Sequence, residues 1–280
     1  MNICVTLILI LAKCTLIFAA LTNHWVVPAV PEGRIVGGHE AAPHSHPYAV
    51  SLQLRFLWVR AHFCGGTLLN QNWVLTAGHC IKESFIIRWL PMDVVAGAHN
   101  VDKFGPAAQV LTVSQRIAHP LYDGGIGPND IAMLKTSMPF QMTKEVQPVN
   151  LPVNFKVKPD NLALTGWGVL KTTFFFPSLP ENLQEVNVTY IPYDECYQAV
   201  EKLREPYEKN PLNNKANICT GPLSGGIAGC NGDSGGPLIQ FPVLLGVVSW
   251  GVSPCGQKGA PTVYTKVSNY LDFINQHINT

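Results

Sequence analysis

The sequence predicts an all-β protein, a barrel or a sandwich of many short strands. Three observations carry this. The apolar runs are short and often alternate with polar residues, 24 Gly and 22 Pro break them up, and six of the eight cysteines fall in the β-rich part of the chain. Short runs between turn residues are the signature of all-β architectures, and such dense punctuation excludes a long helical bundle. At 47% hydrophobic residues the 280-residue chain has ample material for a core, which excludes disorder, and its length suits one large domain or two smaller ones. A net charge of +1 argues against a nucleic-acid binder, which would normally show a basic patch. Without a run of like charge, a polyanion or a membrane surface has no electrostatic support as a partner.

The first 22 residues are set apart. Residues 3–20 are apolar but for Lys13 and small polar side chains, and end in Phe18-Ala-Ala-Leu-Thr22, where small residues suit a signal peptidase. The run approaches the length of a spanning helix, but Lys13 in its middle favours removal. Secretion to the extracellular space, with no stable membrane anchor, is the expectation. Residues 23–34 hold Pro28, Pro31 and Gly33 without apolar periodicity and read as a pro-peptide or linker.

Beyond this point strands are expected at 48–54, 66–69, 73–76, 94–95, 110–113 and 131–134, then at 162–165, 183–188, 237–239, 244–248 and 262–267. Val267, Tyr270, Leu271, Ile274 and Ile278 recur at helical spacing with Ser268 as N-cap, which predicts a C-terminal helix over about 268–279. Residues 195–209 form a second, shorter helix candidate before Pro211. Cys4 and Cys14 leave with the signal. Cys64, Cys80, Cys196, Cys219, Cys230 and Cys255 remain, an even number that reads as three disulfides in an oxidising compartment, with connectivity left open by spacing.

The informative segment for chemistry is Cys230-Asn-Gly-Asp-Ser-Gly-Gly-Pro237. A serine among glycines can be exposed on a tight turn, with backbone N–H groups aimed at a reacting carbonyl oxygen. Gly232-x-Ser234-x-Gly236 also fits α/β-hydrolases, in which an acid and a histidine follow the serine. Here only Asp272 and His277 follow, inside the predicted helix, and no alternation of strand and helix surrounds the serine, so that reading fails. A base stands upstream instead, in Thr76-Ala-Gly-His79-Cys80, directly after a strand. A carboxylate stands at Asp130, before the apolar run Ile131-Ala-Met-Leu134, where burial is costly unless it is hydrogen-bonded.

Together with Ser249-Trp-Gly251 and Arg34-Ile-Val-Gly-Gly38, these motifs resemble the chymotrypsin/trypsin family of serine peptidases, in that family's order, from Ile35 to the C-terminus. The resemblance implies two packed six-stranded Greek-key β-barrels with a C-terminal helix, in a peptidase domain over 35–280 whose halves divide near 145–160. It implies the family's own scheme: Ser234 as nucleophile, His79 as base and then acid, Asp130 holding the imidazole, the N–H groups of Gly232 and Ser234 as oxyanion hole, and an acyl-enzyme intermediate without cofactor or metal. It further implies cleavage after Arg34 by an upstream trypsin-like protease, the freed Ile35 ammonium pairing with Asp233, and bridges Cys64–Cys80, Cys196–Cys219 and Cys230–Cys255. A protein or peptide substrate, proteinaceous inhibitors and a monomeric state complete what it implies.

Departures from the family pattern bear on specificity. Ala228 stands where trypsin-like members carry the aspartate of the pocket floor, so no charge waits for Lys or Arg. With Gly251 and Thr262 at the walls, an open neutral pocket is expected to take Phe, Tyr, Leu or Met. In the alternative, elastase-like reading, Thr262 narrows it toward smaller residues. Arg34 fits such a pocket poorly, so self-activation is expected to be slow. Ala98 and Ala108 occupy the places of two calcium-loop carboxylates, which speaks against a calcium site. Gly78 stands where Ala is usual, and the loop from Cys196 to Cys219 is long. Phe174-Phe-Phe176 is either a contact surface or barrel packing, Asn187-Val-Thr189 is a glycosylation sequon, and His44 and His46 are expected to be solvated rather than a metal pair. The rival reading is a non-catalytic, lectin-like binding protein on the same scaffold. Retention of His79, Asp130 and Ser234 favours the enzyme.

Overall fold

The computed structural model describes residues 36–82, 85–169 and 180–278. The expected signal and pro-peptide, with Arg34 and Ile35, and the Phe174-Phe-Phe176 segment lie outside the described residues. Two closed antiparallel barrels follow one another along the chain. The first is built from β2 (Ala49–Phe56), β3 (Val59–Leu68), β4 (Trp73–Thr76), β5 (Met92–Ala96), β6 (Gln109–Ala118) and β7 (Ala132–Thr136). Its order is β2-β3-β4-β7-β6-β5, and β5 pairs back onto β2. Residues 137–161 then lead to the second barrel. This consists of β8 (Leu162–Gly166), β9 (Gln184–Ile191), β10 (Asn217–Gly221), β11 (Pro237–Gln240), β12 (Val243–Gly251) and β13 (Thr262–Lys266), in the order β9-β10-β13-β12-β11-β8 and closed by β8 on β9. The short β1 (His39–Glu40) adds to β9.

The strand sequences explain their placement. In β9 Val186 and Val188 are buried while Asn187 and Thr189 face outward, the alternation of a barrel wall with one wet side. β4 is buried throughout, and β7 at all but Lys135, because both of their faces are covered. The helices are few. Between β4 and β5 lie α1 (His79–Lys82) and α2 (Phe85–Trp89). α3 (Tyr193–Leu203) buries Cys196, Ala199 and Val200 and has Asp194 and Glu195 in its first turn, where they suit the helix dipole. It stops well before Lys209, because Arg204 is extended and Glu205 precedes Pro206, a position that disfavours helix.

The C-terminal helix α4 (Leu271–Ile278) begins later than its predicted N-cap. Ser268 lies in a 3-10 turn over Val267–Asn269, and the Tyr270 N–H closes that turn on the Val267 carbonyl. Phe273 and Ile274 of α4 join the core cluster that contains Trp73 of β4, so the chain's end packs against the first barrel. The three disulfides are Cys64–Cys80, Cys196–Cys219 and Cys230–Cys255, closing separations of 16, 23 and 25 residues. Bridges of this kind are worth about 2–4 kcal/mol each. Among the described residues no helix is long and apolar enough to cross a membrane.

Candidate active site

His79 opens α1 where β4 ends, and two contacts fix it to one carboxylate. Its backbone N–H donates to Asp130 Oδ1 at 2.8 Å, and its ring Nδ1 lies 2.8 Å from Asp130 Oδ2. The Cys64–Cys80 bridge fastens the next residue to β3. Asp130 itself is only 1% exposed, so its charge needs donors. It has them: besides His79, the Ser249 hydroxyl of β12 donates to Oδ2 at 2.6 Å, while Thr265 of β13 fixes the Asp130 backbone by donating to its main-chain carbonyl at 2.6 Å. Both come from the second barrel. Gly78 finds its reason here too, because a Cβ at that position would lie 2.7 Å from the ring of the buried Tyr122.

Ser234 sits on a tight loop pinned from both barrels. The Gly236 N–H turns back to the Asp233 carbonyl at 2.8 Å, the Gly65 N–H of β3 donates to the Ser234 carbonyl at 2.7 Å, and the Gly235 N–H donates to the Val248 carbonyl of β12. Gly235 has φ +78°, and a Cβ there would fall 2.2 Å from Thr76 Oγ1. A glycine is required on both counts. This contact wedges the serine loop against the strand end that carries His79. Among the described residues no backbone carbonyl accepts from the N–H groups of Gly232 or Ser234.

Asp233 is fully buried, and burial lifts its carboxyl to about 6 against the N–H groups of Cys230 and Gly168, which donate at 2.9 and 2.8 Å. Gly166 and Gly168 lack side chains where this carboxyl packs.

Two residues escaped the reading of the sequence. Ser249 was visible only as part of a motif, without a role. His62 of β3 was not visible at all: its Nδ1 lies 2.8 Å from the Ser51 hydroxyl and its Nε2 lies 3.1 Å from the Gly232 carbonyl. Burial pushes this imidazole down to about 4, so at neutral pH it is uncharged, donating from Nε2 and accepting from Ser51 at Nδ1. It thereby holds the peptide that follows Gly232, next to the N–H pair.

A cavity of about 230 Å³ opens beside Ser234, lined by Gly229, Trp250, Gly251, Val252 and Thr262 among others, with no charged side chain among the described residues of its wall. Ala228 is not part of that wall. It is buried, with its N–H on the Val36 carbonyl, while Thr262 Oγ1 accepts from the Gly229 N–H at 3.1 Å and Thr262 faces the cavity instead. A second cavity of about 460 Å³ shares Trp250, Gly251 and Val252 with the first and is otherwise walled by apolar Ile126, Val200, Leu203 and Pro211 and by charged Arg204, Glu208 and Lys209. The long loop between Cys196 and Cys219 thus shapes a hollow next to the site.

Other expected features fall elsewhere. His46 is not solvated: its Nε2 contacts Glu185 at 2.5 Å and its Nδ1 contacts the Tyr48 hydroxyl at 2.9 Å. Asn187 and Thr189 are exposed on the outer face of β9. Cys64, Cys80 and His79 bring ligand-type atoms within 4.8 Å of one another, but both sulfurs are spent in a disulfide and offer no thiolate.

A double barrel with a carboxylate-held histidine and a glycine-framed serine at the seam defines a serine hydrolase scaffold. Sequence comparison assigns it further. Residues 35–274 match the Trypsin family model, and the chain belongs to the trypsin family of serine peptidases. It is similar to Lectizyme of Glossina austeni, 37% identical over 90% of this chain and 89% of that relative. Trypsin of Sus scrofa is 36% identical over 90% and 98%, and Kallikrein 1-related peptidase b3 of Mus musculus is 34% identical over 92% and 95%.

Proposed function

We propose that this chain is a secreted serine endopeptidase, made as a precursor, switched on by cleavage after Arg34, and directed to apolar residues. The observation that carries the reading is Asp130, whose carboxylate takes the backbone and ring nitrogens of His79 together with the Ser249 hydroxyl. An imidazole held at Nδ1 by a carboxylate presents Nε2 as a base. Ser234 Oγ attacks the scissile carbonyl while His79 takes its proton. The N–H groups of Gly232 and Ser234 stabilise the oxyanion, and His79 returns the proton to the leaving amine. Water then resolves the acyl-enzyme by the same route.

The neutral cavity supports an apolar P1 residue over Lys or Arg. Thr262 in its wall favours side chains of moderate size, Leu and Met ahead of Phe and Tyr. Arg34 does not match this preference, so the activator is a separate trypsin-like protease. Cleavage frees the Ile35 ammonium, and Asp233, buried and raised toward neutrality, is its partner. That pairing returns Asp233 to the charged form.

Active-site titration with a serine-directed phosphonate tests the reading, before and after trypsin treatment, with Ser234→Ala as control. Labelling of Ser234 that follows cleavage at Arg34–Ile35 is expected. A correctly cleaved, folded protein that takes no label would overturn the peptidase and favour a binding protein on this scaffold.

A further inference from the structure

The hairpin between β2 and β3 ends in Phe56-Leu57-Trp58-Val59, which are 62, 68, 86 and 54% exposed. Four consecutive exposed apolar residues are unusual on a soluble surface, where large apolar side chains are normally scattered. Leu54 pairs with Met92 and the Arg55 N–H donates to the Pro91 carbonyl, so a fifth exposed apolar residue, Trp89 at 75%, lies two residues along the chain from the segment that flanks the base of the hairpin. Below the tip Arg55 and Arg60 face each other in register, and both reach the buried Asp93, at 3.8 and 3.0 Å. Exposed Arg88 adds a third cation next to Trp89. Asp102 lies near the tip as well, lining a hollow with Trp58, Arg60 and Phe104. The sum over these five charges is positive.

We propose that this tip docks the protein on an anionic lipid surface, its five apolar side chains entering the boundary between headgroups and acyl chains while the arginines remain at the phosphates. The dimensions agree. From the Arg55–Arg60 pair the hairpin advances two residues to its end, roughly 7 Å at about 3.3 Å per residue, and interfacial segments bury their apolar faces about 5–10 Å deep. Tryptophan prefers that boundary, and arginine stems lie along apolar surface while the charge stays in water. The tip is a convex turn, suited to a yielding medium. The sequence hides this basic rim because its arginines lie at 55, 60 and 88, and only the fold brings them together.

Flotation of the purified protein with phosphatidylcholine vesicles containing about 30% phosphatidylserine tests the proposal, with pure phosphatidylcholine vesicles alongside. The protein should float with the anionic vesicles, with tryptophan emission moving to shorter wavelength and binding weakening as salt is raised. Leu57→Asp/Trp58→Ser should lower the bound fraction about tenfold. Melting temperature and hydrolysis of a small soluble substrate should not change. Leu57 already has φ +54°, which aspartate tolerates better than leucine, so the variant is not expected to misfold. Failure of the parent to bind, or equal binding by the variant, would overturn the proposal. So would a concentration-dependent dimer, lost in the variant, without vesicle binding, because that would give the tip to a second copy.

Discussion

The Ser249 hydroxyl reaches the Asp130 carboxylate at 2.6 Å from the opposite barrel. This contact joins the strand that lines the substrate cavity to the group that orients the base. A hydrogen bond to a charged group is worth about 1.5–3 kcal/mol, and about 1.4 kcal/mol is tenfold in rate. Ser249→Ala is therefore expected to lower kcat/KM by at least about tenfold, mostly in kcat. Steady-state kinetics on a chromogenic peptide would settle it, and unchanged kcat would separate Ser249 from the reaction.

Gly78→Ala should destabilise the protein by about 1–3 kcal/mol, the ordinary cost of overpacking. Its Cβ would meet the Tyr122 ring at 2.7 Å, and Tyr122 is too buried to swing aside. Since the next residue is His79, kcat should fall as well. Urea unfolding measures the first effect, and a variant as stable as the parent would mean that the ring yields.

His62→Phe should carry a cost that depends on pH. The folded imidazole titrates near 4 against an ordinary value of 6.5. The unfolded chain therefore takes up its proton first on acidification, and the stability His62 contributes is whole above about 6.5 and lost as pH falls toward 4. The destabilisation by His62→Phe should be largest at neutral pH and shrink by up to about 1.4 kcal/mol per pH unit below it. Asp233 acts in the opposite sense in the uncleaved chain. Its folded carboxyl is raised to about 6, so its contribution is present at low pH and lost as pH rises through that value. Unfolding curves of both proteins at pH 4.5, 5.5 and 7, compared as differences, isolate the histidine, and a constant difference would refute its burial as a neutral ring.

Thr262→Gly should raise kcat/KM for Phe relative to Val at P1 by about tenfold, within the range expected for a few methylenes in an apolar pocket. Ala228→Asp alone should not produce cleavage after Arg, because Ala228 lies outside the cavity wall and Thr262 within it. The double variant should. A peptide library scanned at P1 distinguishes these outcomes, and Arg cleavage by the single variant would show that the cavity reaches Ala228.

Asn187 and Thr189 point outward from β9, so a glycan at Asn187 would meet solvent rather than core. Protein secreted from a eukaryotic host should lose mass on treatment with an N-glycosidase, and Asn187→Gln should abolish that change. An Asn187 left bare in such material would mean that the strand forms before the transferase reaches it.

The proposed triad was legible because each member sits in a short, unusual context: a serine among glycines, a histidine beside a cysteine, an aspartate at the mouth of an apolar strand. Their helpers were not. Ser249 meets Asp130 across 119 residues and His62 meets Gly232 across 170, contacts set by barrel closure rather than by any local pattern. β10 escaped for a related reason: Asn217-Ile-Cys-Thr-Gly221 is buried on both faces and shows no alternation. His46 looked solvated beside Ser45 and Pro47, yet Glu185 covers it from another strand. The position of Ala228 was readable by its offset from Ser234, but the depth of the cavity depends on where the Thr262 side chain points.

The division of the site between the barrels sets an order in time. A ribosome releases His79 and Asp130 long before Ser249 and Thr265, which fix Asp130, and before Ser234 itself. From Asp130 to Ser234, more than a third of its length, the growing chain holds a histidine and a carboxylate without their fasteners or a nucleophile. On the proposed function, the cell that makes the protein would be shielded by geometry as well as by an uncut Arg34–Ile35 bond, with competence arising only when the last strands have closed.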